Sequence, residues 1–230
     1  MAGPRAGSDI EFQSNGDRVR GYLATPASES GPGVLVIQEW WGLVDHVRDV
    51  CDRFAREGFV ALAPDLYRGE STADPDEAGR LMMSLEIPRA ARDLDGALQA
   101  LLNQHAVEGS RVGAVGFCMG GQLALYAATR NPGIGAVVDY YGIHPSVTLD
   151  LSGLEAPVLG IFAENDGFVT PEAARKLESE LRQAGKRASF HVFPGVDHAF
   201  FNDTRPDVHD AEAAARAWGD TLSFLRAELS

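Results

Sequence analysis

Apolar and polar residues follow one another along this chain in blocks that predict strands and helices in turn. The continuously apolar runs 34–39, 59–63, 134–141 and 158–163 are typical of strands buried on both faces of a parallel sheet. A further strand is predicted at 188–193. Between these runs, helices are predicted at 44–57, 76–102, 171–184 and 211–229, and the second should break at Pro88, which cannot continue the helical ladder.

The first segment has a different pattern. Residues 10–24 predict a β-hairpin, because apolar positions flank Asn15-Gly16, a strong turn signal, and 25–33 reads as a loop. Strands that alternate with helices along the rest of the chain predict the α/β class, with a mostly parallel sheet and helices on both faces. We expect a single domain over residues 1–230. In this architecture, ligands bind at the carboxyl ends of the strands.

One predicted strand–helix junction carries a chemical motif. An apolar run from Val112 leads into Gly116-Phe117-Cys118-Met119-Gly120, and a helix is expected from Met119 to about Arg130. Gly-x-Cys-x-Gly is the nucleophile-elbow pattern with cysteine in place of serine. The glycines let a strained turn pass close to its neighbours, and the helix N-terminus favours a thiolate. A buried structural cysteine is the alternative, since free cysteine is often a core residue.

Asp166 and His198 follow the last two predicted strands, so the chain has nucleophile, acid and histidine in the order of the α/β-hydrolases. Cys118 would attack a carbonyl carbon, His198 would carry the proton, and Asp166 would orient the imidazole. Backbone N–H groups of Met119 and of the loop near Trp40 would form the oxyanion hole. Taken singly, Asp166 could be a turn former and His198 a loop histidine, and Asp197 competes as the acid. Their joint occurrence at strand ends favours the triad.

The end of the first core strand is also unusual. Glu39 lies at its tip, where a carboxylate is costly unless it is paired, functional or solvated. Trp40-Trp41-Gly42 follows and suggests a pocket wall, although core packing would explain two aromatic residues equally well.

Composition narrows the class of protein. The 230 residues are 45% hydrophobic and 23% charged, as in an ordinary globular protein, and the formal net charge of −13 argues against nucleic-acid binding. Residues 1–8 lack the apolar core of a signal peptide, and no stretch is apolar enough for a membrane span. The two cysteines, Cys51 and Cys118, form no disulfide framework, so we expect a cytoplasmic protein with Cys51 in the core. Scattered histidines and the absence of Gly-x-Gly-x-x-Gly predict no metal and no cofactor.

With these residues in place, the chain resembles the dienelactone hydrolase family (carboxymethylenebutenolidases). The matching stretches are Gln38-Glu39-Trp40-Trp41-Gly42, Pro64-Asp65-Leu66-Tyr67, Gly116-Phe117-Cys118-Met119-Gly120-Gly121, Tyr140-Tyr141-Gly142, Asp166 with Val169 and Pro171, and Gly195 to His198 with Phe200. The resemblance implies the α/β-hydrolase fold and the triad Cys118–His198–Asp166. It also implies that Glu39 contacts the thiol and helps to generate the thiolate. The implied reaction opens dienelactone, a lactone bearing a carboxylate, to maleylacetate.

The residues that would bind the substrate depart from the family. Specialised members hold the substrate carboxylate with two arginines and a tyrosine; here Arg80 matches the first arginine, but Ser84 and Asn202 stand at the other two positions. Arg205 lies near the position expected for the second arginine but is out of register with it. We therefore predict Arg80, Trp41, Phe200 and Asn202 as substrate-binding residues.

We expect the partner to be a small lactone or ester, and the protein to be a monomer or weak homodimer that binds neither membrane nor nucleic acid. The alternatives are a broader carboxylesterase or lactonase on the same triad, and a redox sensor that uses Cys118 without hydrolysis.

Overall fold

The computed structural model describes residues 7–14, 16–142 and 144–229. Its centre is one eight-stranded sheet in the order β1-β2-β4-β3-β5-β6-β7-β8. The strands are β1 (Gly7–Ser14), β2 (Asp17–Ala24), β3 (Gly31–Ile37), β4 (Val60–Pro64), β5 (Val107–Phe117), β6 (Ile134–Tyr140), β7 (Val158–Ala163) and β8 (Ala188–Phe193). The helices are α1 (Asp45–Arg56), α2 (Pro75–Ser84), α3 (Ile87–Leu102), α4 (Met119–Arg130), α5 (Pro171–Gln183) and α6 (Ala211–Leu229).

The sheet is parallel except at one edge. Strands β1 and β2 pair antiparallel as the predicted hairpin, and β2 continues antiparallel onto β4. Asn15, the predicted turn residue, lies outside the described residues. Strands β3 to β8 pair in parallel. The predicted mixed sheet with a parallel centre is therefore confirmed.

Several boundaries differ from the predictions; for example, β5 begins at Val107 rather than Val112, and β3 ends at Ile37 rather than residue 39. Strand β3 begins at Gly31 rather than residue 34, since Gly31 already pairs with Val107 before the register shifts between Pro32 and Val34. The break in the long helix falls between Ser84 and Ile87, just ahead of Pro88. Pro88 lies in the first turn of α3, where its missing N–H would have had no helical acceptor.

Helices cover both faces of the sheet, as predicted. Helices α1 and α6 bury Phe54, Ala217 and Leu225 on one face, and Cys51 lies in this core. Helices α3, α4 and α5 bury residues such as Leu94 and Leu123 on the other. Within the described ranges, no helix combines the length and apolar character needed to cross a bilayer.

The junction of β5 and α4 is the tightest place in the sheet. A Cβ on Gly116 would lie 1.9 Å from the carbonyl oxygen of Gly120, and one on Gly120 would lie 2.4 Å from that of Ile37. Strand β3, strand β5 and the first turn of α4 are thus in backbone contact. This contact leaves Cys118 with φ 53° and ψ −126°, in a region that side chains rarely adopt.

We predict that Gly116→Ala lowers the free energy of unfolding by about 3 kcal/mol or more, because the added methyl group meets backbone rather than a movable side chain. Gly219→Ala is the matched control. Gly219 lies in α6 with open space around its Cα, so the same change should stabilise the protein by about 0.5–1 kcal/mol. Urea unfolding measures both, and equal effects would contradict this account.

Candidate active site

Four side chains predicted to act together lie at the carboxyl edge of the sheet. Glu39 comes just after β3, Cys118 directly after β5, Asp166 after β7 and His198 after β8. Because these strands are parallel, their ends meet at one edge, so residues far apart in sequence come together there.

His198 and Asp166 form the closest polar pair of the site. The Nδ1 atom of His198 lies 2.6 Å from Oδ2 of Asp166. The other oxygen, Oδ1, accepts the backbone N–H groups of Phe168 at 2.7 Å and Val169 at 2.8 Å. Asp166 is therefore both the turn former and the imidazole partner, two roles that the sequence presented as alternatives. Asp197, the competing acid, is exposed.

The environment of His198 favours its protonated form. Burial of the ring opposes the charge, but side-chain hydrogen bonds to Asp166 and Cys118, and the charges of both, outweigh it and raise the pKa of His198 to about 10. The imidazole thus pairs with the acid through Nδ1 and lies in the same cavity as the sulfur. That is the geometry in which a histidine can exchange a proton with a nucleophile.

Cys118 lies at the floor of a cavity, with 8% of its surface exposed. It directly precedes α4, whose first N–H groups have no acceptor within the helix. One of these belongs to Met119. Trp40 follows the end of β3, which contacts Gly120 through Ile37. Both backbone groups proposed for the oxyanion hole therefore lie on segments that adjoin the sulfur, and their role stays a prediction.

Glu39 is buried, with 2% exposure, so the interpretation as a solvated strand end does not hold. Its Oε2 atom accepts the side-chain amide of Asn202 at 2.7 Å. In the described part of the chain, Oε1 has no hydrogen-bond partner, although the residue lines the same cavity as Cys118. A buried carboxylate with one free oxygen next to a thiol can accept a proton or orient one.

The cavity measures about 260 Å³ and is mostly apolar around the reactive groups. Its lining consists of Glu39, Trp40, Trp41, Pro75, Met82, Cys118, Phe168, His198, Ala199 and Arg205. The pocket-wall interpretation of the two tryptophans therefore matches their location. The described residues include no group of three or more His, Cys, Asp and Glu that could hold a metal ion.

The comparisons with known proteins agree with this architecture. A family model described as the dienelactone hydrolase family matches residues 19–229. The chain belongs to the dienelactone hydrolase family. It is 38% identical over 97% of its length to the whole of the protein usf of Aquifex pyrophilus. A protein of Aquifex aeolicus with a provisional carboxymethylenebutenolidase name is 36% identical over 97% of this chain and 99% of its own.

Solved structures of the family superpose on the whole chain. The crystal structure of a dienelactone hydrolase-like promiscuous phosphotriesterase from metagenomic libraries has a TM-score of 0.88 at 26% identity, and covers 97% of this chain and 98% of its own. The crystal structure of a Klebsiella pneumoniae protein provisionally named a dienelactone hydrolase has a TM-score of 0.86 at 30% identity, and covers 96% of this chain and 99% of its own. The chain is thus a hydrolase with the α/β-hydrolase fold.

Three of the four residues predicted to bind substrate are not part of the cavity lining: Arg80, Phe200 and Asn202, of which Asn202 donates its side-chain amide to Glu39 instead. Arg80 is exposed on α2, where its Nε donates to Glu77 at 2.9 Å and its guanidinium also faces Glu70. Phe200 is fully buried in the core, with ring contacts to Tyr141 and Phe193. Position in the sequence did not predict where Arg80 and Phe200 would point. The orientation of α2 determines the direction of Arg80, and the path of the loop after β8 determines that of Phe200.

Three residues at the site escaped the sequence analysis. Arg205 lines the cavity and stacks over Trp41 at 5.6 Å. Phe168 is 66% exposed at the cavity and its ring centroid lies 5.2 Å from that of His198. Tyr141 packs 4.9 Å from the same imidazole. The sequence carried a signal for two of them: the motif Tyr140-Tyr141-Gly142 at a strand end, and the position of Arg205 near the expected arginine but out of register with it.

We predict that the imidazole of His198 titrates near pH 10, and that Asp166→Asn lowers this pKa because the acceptor loses its charge. Since the folded pKa lies above the ordinary 6.5, the pair stabilises the fold fully below about pH 6.5 and loses this contribution as the pH rises through about 10.

Nitrogen-15 NMR of the imidazole measures this titration. Asp220→Asn is the control, because Asp220 pairs with His191 on the surface and should leave the signal of His198 unchanged. If His198 of the unmodified protein titrated with the usual histidine pKa of about 6.5, its stabilising interaction with Asp166 would be contradicted.

Proposed function

We propose that this member of the dienelactone hydrolase family hydrolyses lactones and small activated esters through the triad Cys118–His198–Asp166. The observation that carries the proposal is the imidazole of His198, which is hydrogen-bonded to Asp166 through Nδ1 and lines the same cavity as Cys118. A protonated imidazole beside a cysteine at a helix N-terminus favours the thiolate, the form that attacks a carbonyl carbon.

In the proposed reaction, the thiolate of Cys118 adds to the carbonyl carbon of the substrate. The N–H groups of Met119 and Trp40 stabilise the oxyanion, and the imidazolium of His198 gives its proton to the leaving oxygen as the carbon–oxygen bond breaks. The neutral imidazole then takes a proton from water, which attacks the thioester. Release of the acid regenerates the thiolate and the imidazolium, so one water is consumed for each ester bond.

Glu39 has a preparatory role in this proposal. Glu39 lines the cavity, its buried Oε1 atom has no hydrogen-bond partner among the described residues, and the amide of Asn202 holds the other oxygen. A carboxylate there can accept the thiol proton when the sulfur is not paired with His198. Asn202 thus acts on the reaction through Glu39, which differs from the direct contact with substrate expected from the sequence.

For the substrate, we propose an ester or lactone that carries a carboxylate, as dienelactone does, with maleylacetate as its product. Support comes from Arg205, a cationic side chain in the cavity wall beside Trp41. Arginine binds carboxylates through paired N–H donors. Arg205 would then supply the charge that Ser84 and Asn202 do not.

A broader carboxylesterase is the second candidate, and a specific observation favours it. The rest of the wall is apolar, with Trp40, Met82 and Phe168 around the sulfur. These side chains suit neutral aryl or alkyl groups as well as an anion. One structural relative is described as a promiscuous phosphotriesterase, so neutral phosphotriesters are also worth assaying.

We predict that Cys118→Ser and Cys118→Ala lower kcat by roughly three orders of magnitude or more, because the attacking thiolate is lost. The assay compares dienelactone, a neutral aryl ester and a neutral phosphotriester. Turnover of dienelactone in preference to the neutral compounds supports the first candidate, and turnover of the aryl ester alone supports the second. Sulfenate formation with peroxide and no turnover of any substrate would support the redox alternative.

We predict that Arg205→Gln raises KM for dienelactone by about 10- to 150-fold, the value of a charge-assisted hydrogen bond of about 1.5–3 kcal/mol. Turnover of a neutral aryl ester should change little. Arg80→Gln is the matched control and should leave both substrates unaffected, since Arg80 is exposed and paired with Glu77. The reverse result would restore Arg80 as the substrate-binding arginine.

A further inference from the structure

A second cavity adjoins the catalytic cavity around Cys118, and the proposed reaction does not use it. It measures about 380 Å³, against about 260 Å³ for the catalytic cavity. Trp41 and Arg205 line both cavities, so the two spaces meet at this pair of side chains. The other lining residues of this second, or distal, cavity lie at position 44 and in the segments 72–73 and 202–207.

The two side chains that the cavities share are stacked on each other. The guanidinium carbon of Arg205 lies 5.6 Å from the centre of the Trp41 ring. Trp41 has 9% of its surface exposed, and its backbone carbonyl accepts the N–H of Thr72 at 3.1 Å. A substrate group that binds to the guanidinium of Arg205 therefore lies at the junction of the two cavities.

Hydrogen bonds within the protein hold the walls of the distal cavity. Gly42 and Ser71 form an isolated antiparallel β-bridge, which fixes the segment 72–73 that follows. In the loop after β8, Oδ1 of Asn202 accepts both the backbone N–H of Thr204 at 3.0 Å and its hydroxyl at 2.6 Å. A ligand of a cavity whose walls are held in this way pays little for ordering them.

The polar groups of the distal cavity are mostly paired with one another. Nη2 of Arg205 donates to Oδ2 of Asp207 at 2.9 Å, so the cation and the carboxylate of the lining balance each other. The hydroxyl of Thr72 accepts the backbone N–H of Asp74 at 3.0 Å. A neutral group would gain most from the apolar surface that remains, which belongs to Trp41, Val44, Ala73 and Pro206.

We propose that the distal cavity is a second subsite of the same active site and binds a neutral apolar group attached beside the substrate carboxylate. This inference rests on the proposed function, in which Arg205 binds the carboxylate and the ester lies beside Cys118. The apolar group would then extend past Trp41. The substrate class is thus a carboxylate-bearing ester or lactone with a hydrophobic branch of about the size of a phenyl ring next to the carboxylate.

Three carboxylates that contain no ester bond test the position of the branch. 2-Benzylbutanoate carries a phenyl ring beside the carboxylate, its isomer 5-phenylpentanoate carries the ring at the far end of the chain, and butanoate has no ring. The better-bound enantiomer of 2-benzylbutanoate should bind about tenfold or more tightly than butanoate, because burial of a phenyl ring is worth at least that factor. Equal affinities would overturn the proposal.

NMR titration measures these dissociation constants and also locates the ring. Val44, Thr72 and Thr204 line the distal cavity and not the catalytic one. Their backbone amide signals should shift with 2-benzylbutanoate and stay in place with butanoate, since only the first compound brings an aromatic ring to the distal cavity. A gain in affinity without these shifts would place the ring elsewhere and would also overturn the proposal.

Ala73→Phe fills the distal cavity with a ring of the protein and should remove the gain for 2-benzylbutanoate. Ala73 is exposed and does not line the catalytic cavity, so the affinity for butanoate should not change. Ala184→Phe is the matched control, because Ala184 is exposed at the end of α5 and lines neither cavity. It should retain the full gain, and the same loss in both variants would contradict the assignment.

Binding of these carboxylates does not require Cys118 to react, so this inference and the proposed hydrolysis can fail separately. Cys118→Ala should keep the tenfold gain for 2-benzylbutanoate while it loses turnover. Ester turnover with no preference among the three carboxylates would leave the triad in place and exclude the subsite. Selective binding with no turnover of any ester would support the subsite and contradict the hydrolysis.

Discussion

The site depends on a backbone contact, the approach of β3, β5 and the first turn of α4 at Gly116 and Gly120. No side chain fits between these segments. The chain can leave β5 and enter α4 at this distance only if the intervening residue takes an unfavourable positive φ, and that residue is Cys118. The contact therefore fixes the sulfur above the edge of the sheet and turns the free amides of α4 towards it. The strain is held by the packing of two layers of helices.

Three carboxyl groups lie on the strand ends and strands around the turn at Cys118, and they differ in the hydrogen bonds that they accept. Asp166 has two backbone amides and the imidazole. Glu39 has one neutral amide, from Asn202. Within the described residues, neither oxygen of Asp139 has a hydrogen-bond partner of normal geometry, and burial raises the pKa of this carboxyl to about 7. Among the described residues, the hydrogen bonds to these carboxyl groups therefore fall from three at Asp166 to one at Glu39 and none of normal geometry at Asp139.

The parallel strands and the residues at their ends were predictable from the sequence, because they depend on local periodicity. Apolar runs located the parallel strands, and the positions of Cys118, Asp166 and His198 at strand ends anticipated their proximity, because parallel strands bring those ends to one edge. Side-chain direction in loops was not predictable in the same way. Arg80 matched its expected offset but faces Glu77 on the surface, while Arg205, out of register, reaches the cavity. The path of the loop after β8 results from long-range packing, in which Asn202 turns inward to Glu39.

That inward turn has a consequence for substrate choice. A cationic side chain at position 202 would have paired with Glu39. Glu39 and a substrate carboxylate would then have competed for that cation. Here the two tasks are divided: the neutral amide of Asn202 holds Glu39, and the guanidinium of Arg205 stays against Trp41 in the wall. Besides stacking over Trp41, the guanidinium of Arg205 donates through Nη2 to Asp207 at 2.9 Å, and its other N–H groups are the donors that would bind a substrate carboxylate. In the proposed function, Glu39 prepares the thiol and Arg205 binds the substrate carboxylate, so a substitution at Arg205 would change substrate preference while the contact between Asn202 and Glu39 stays in place.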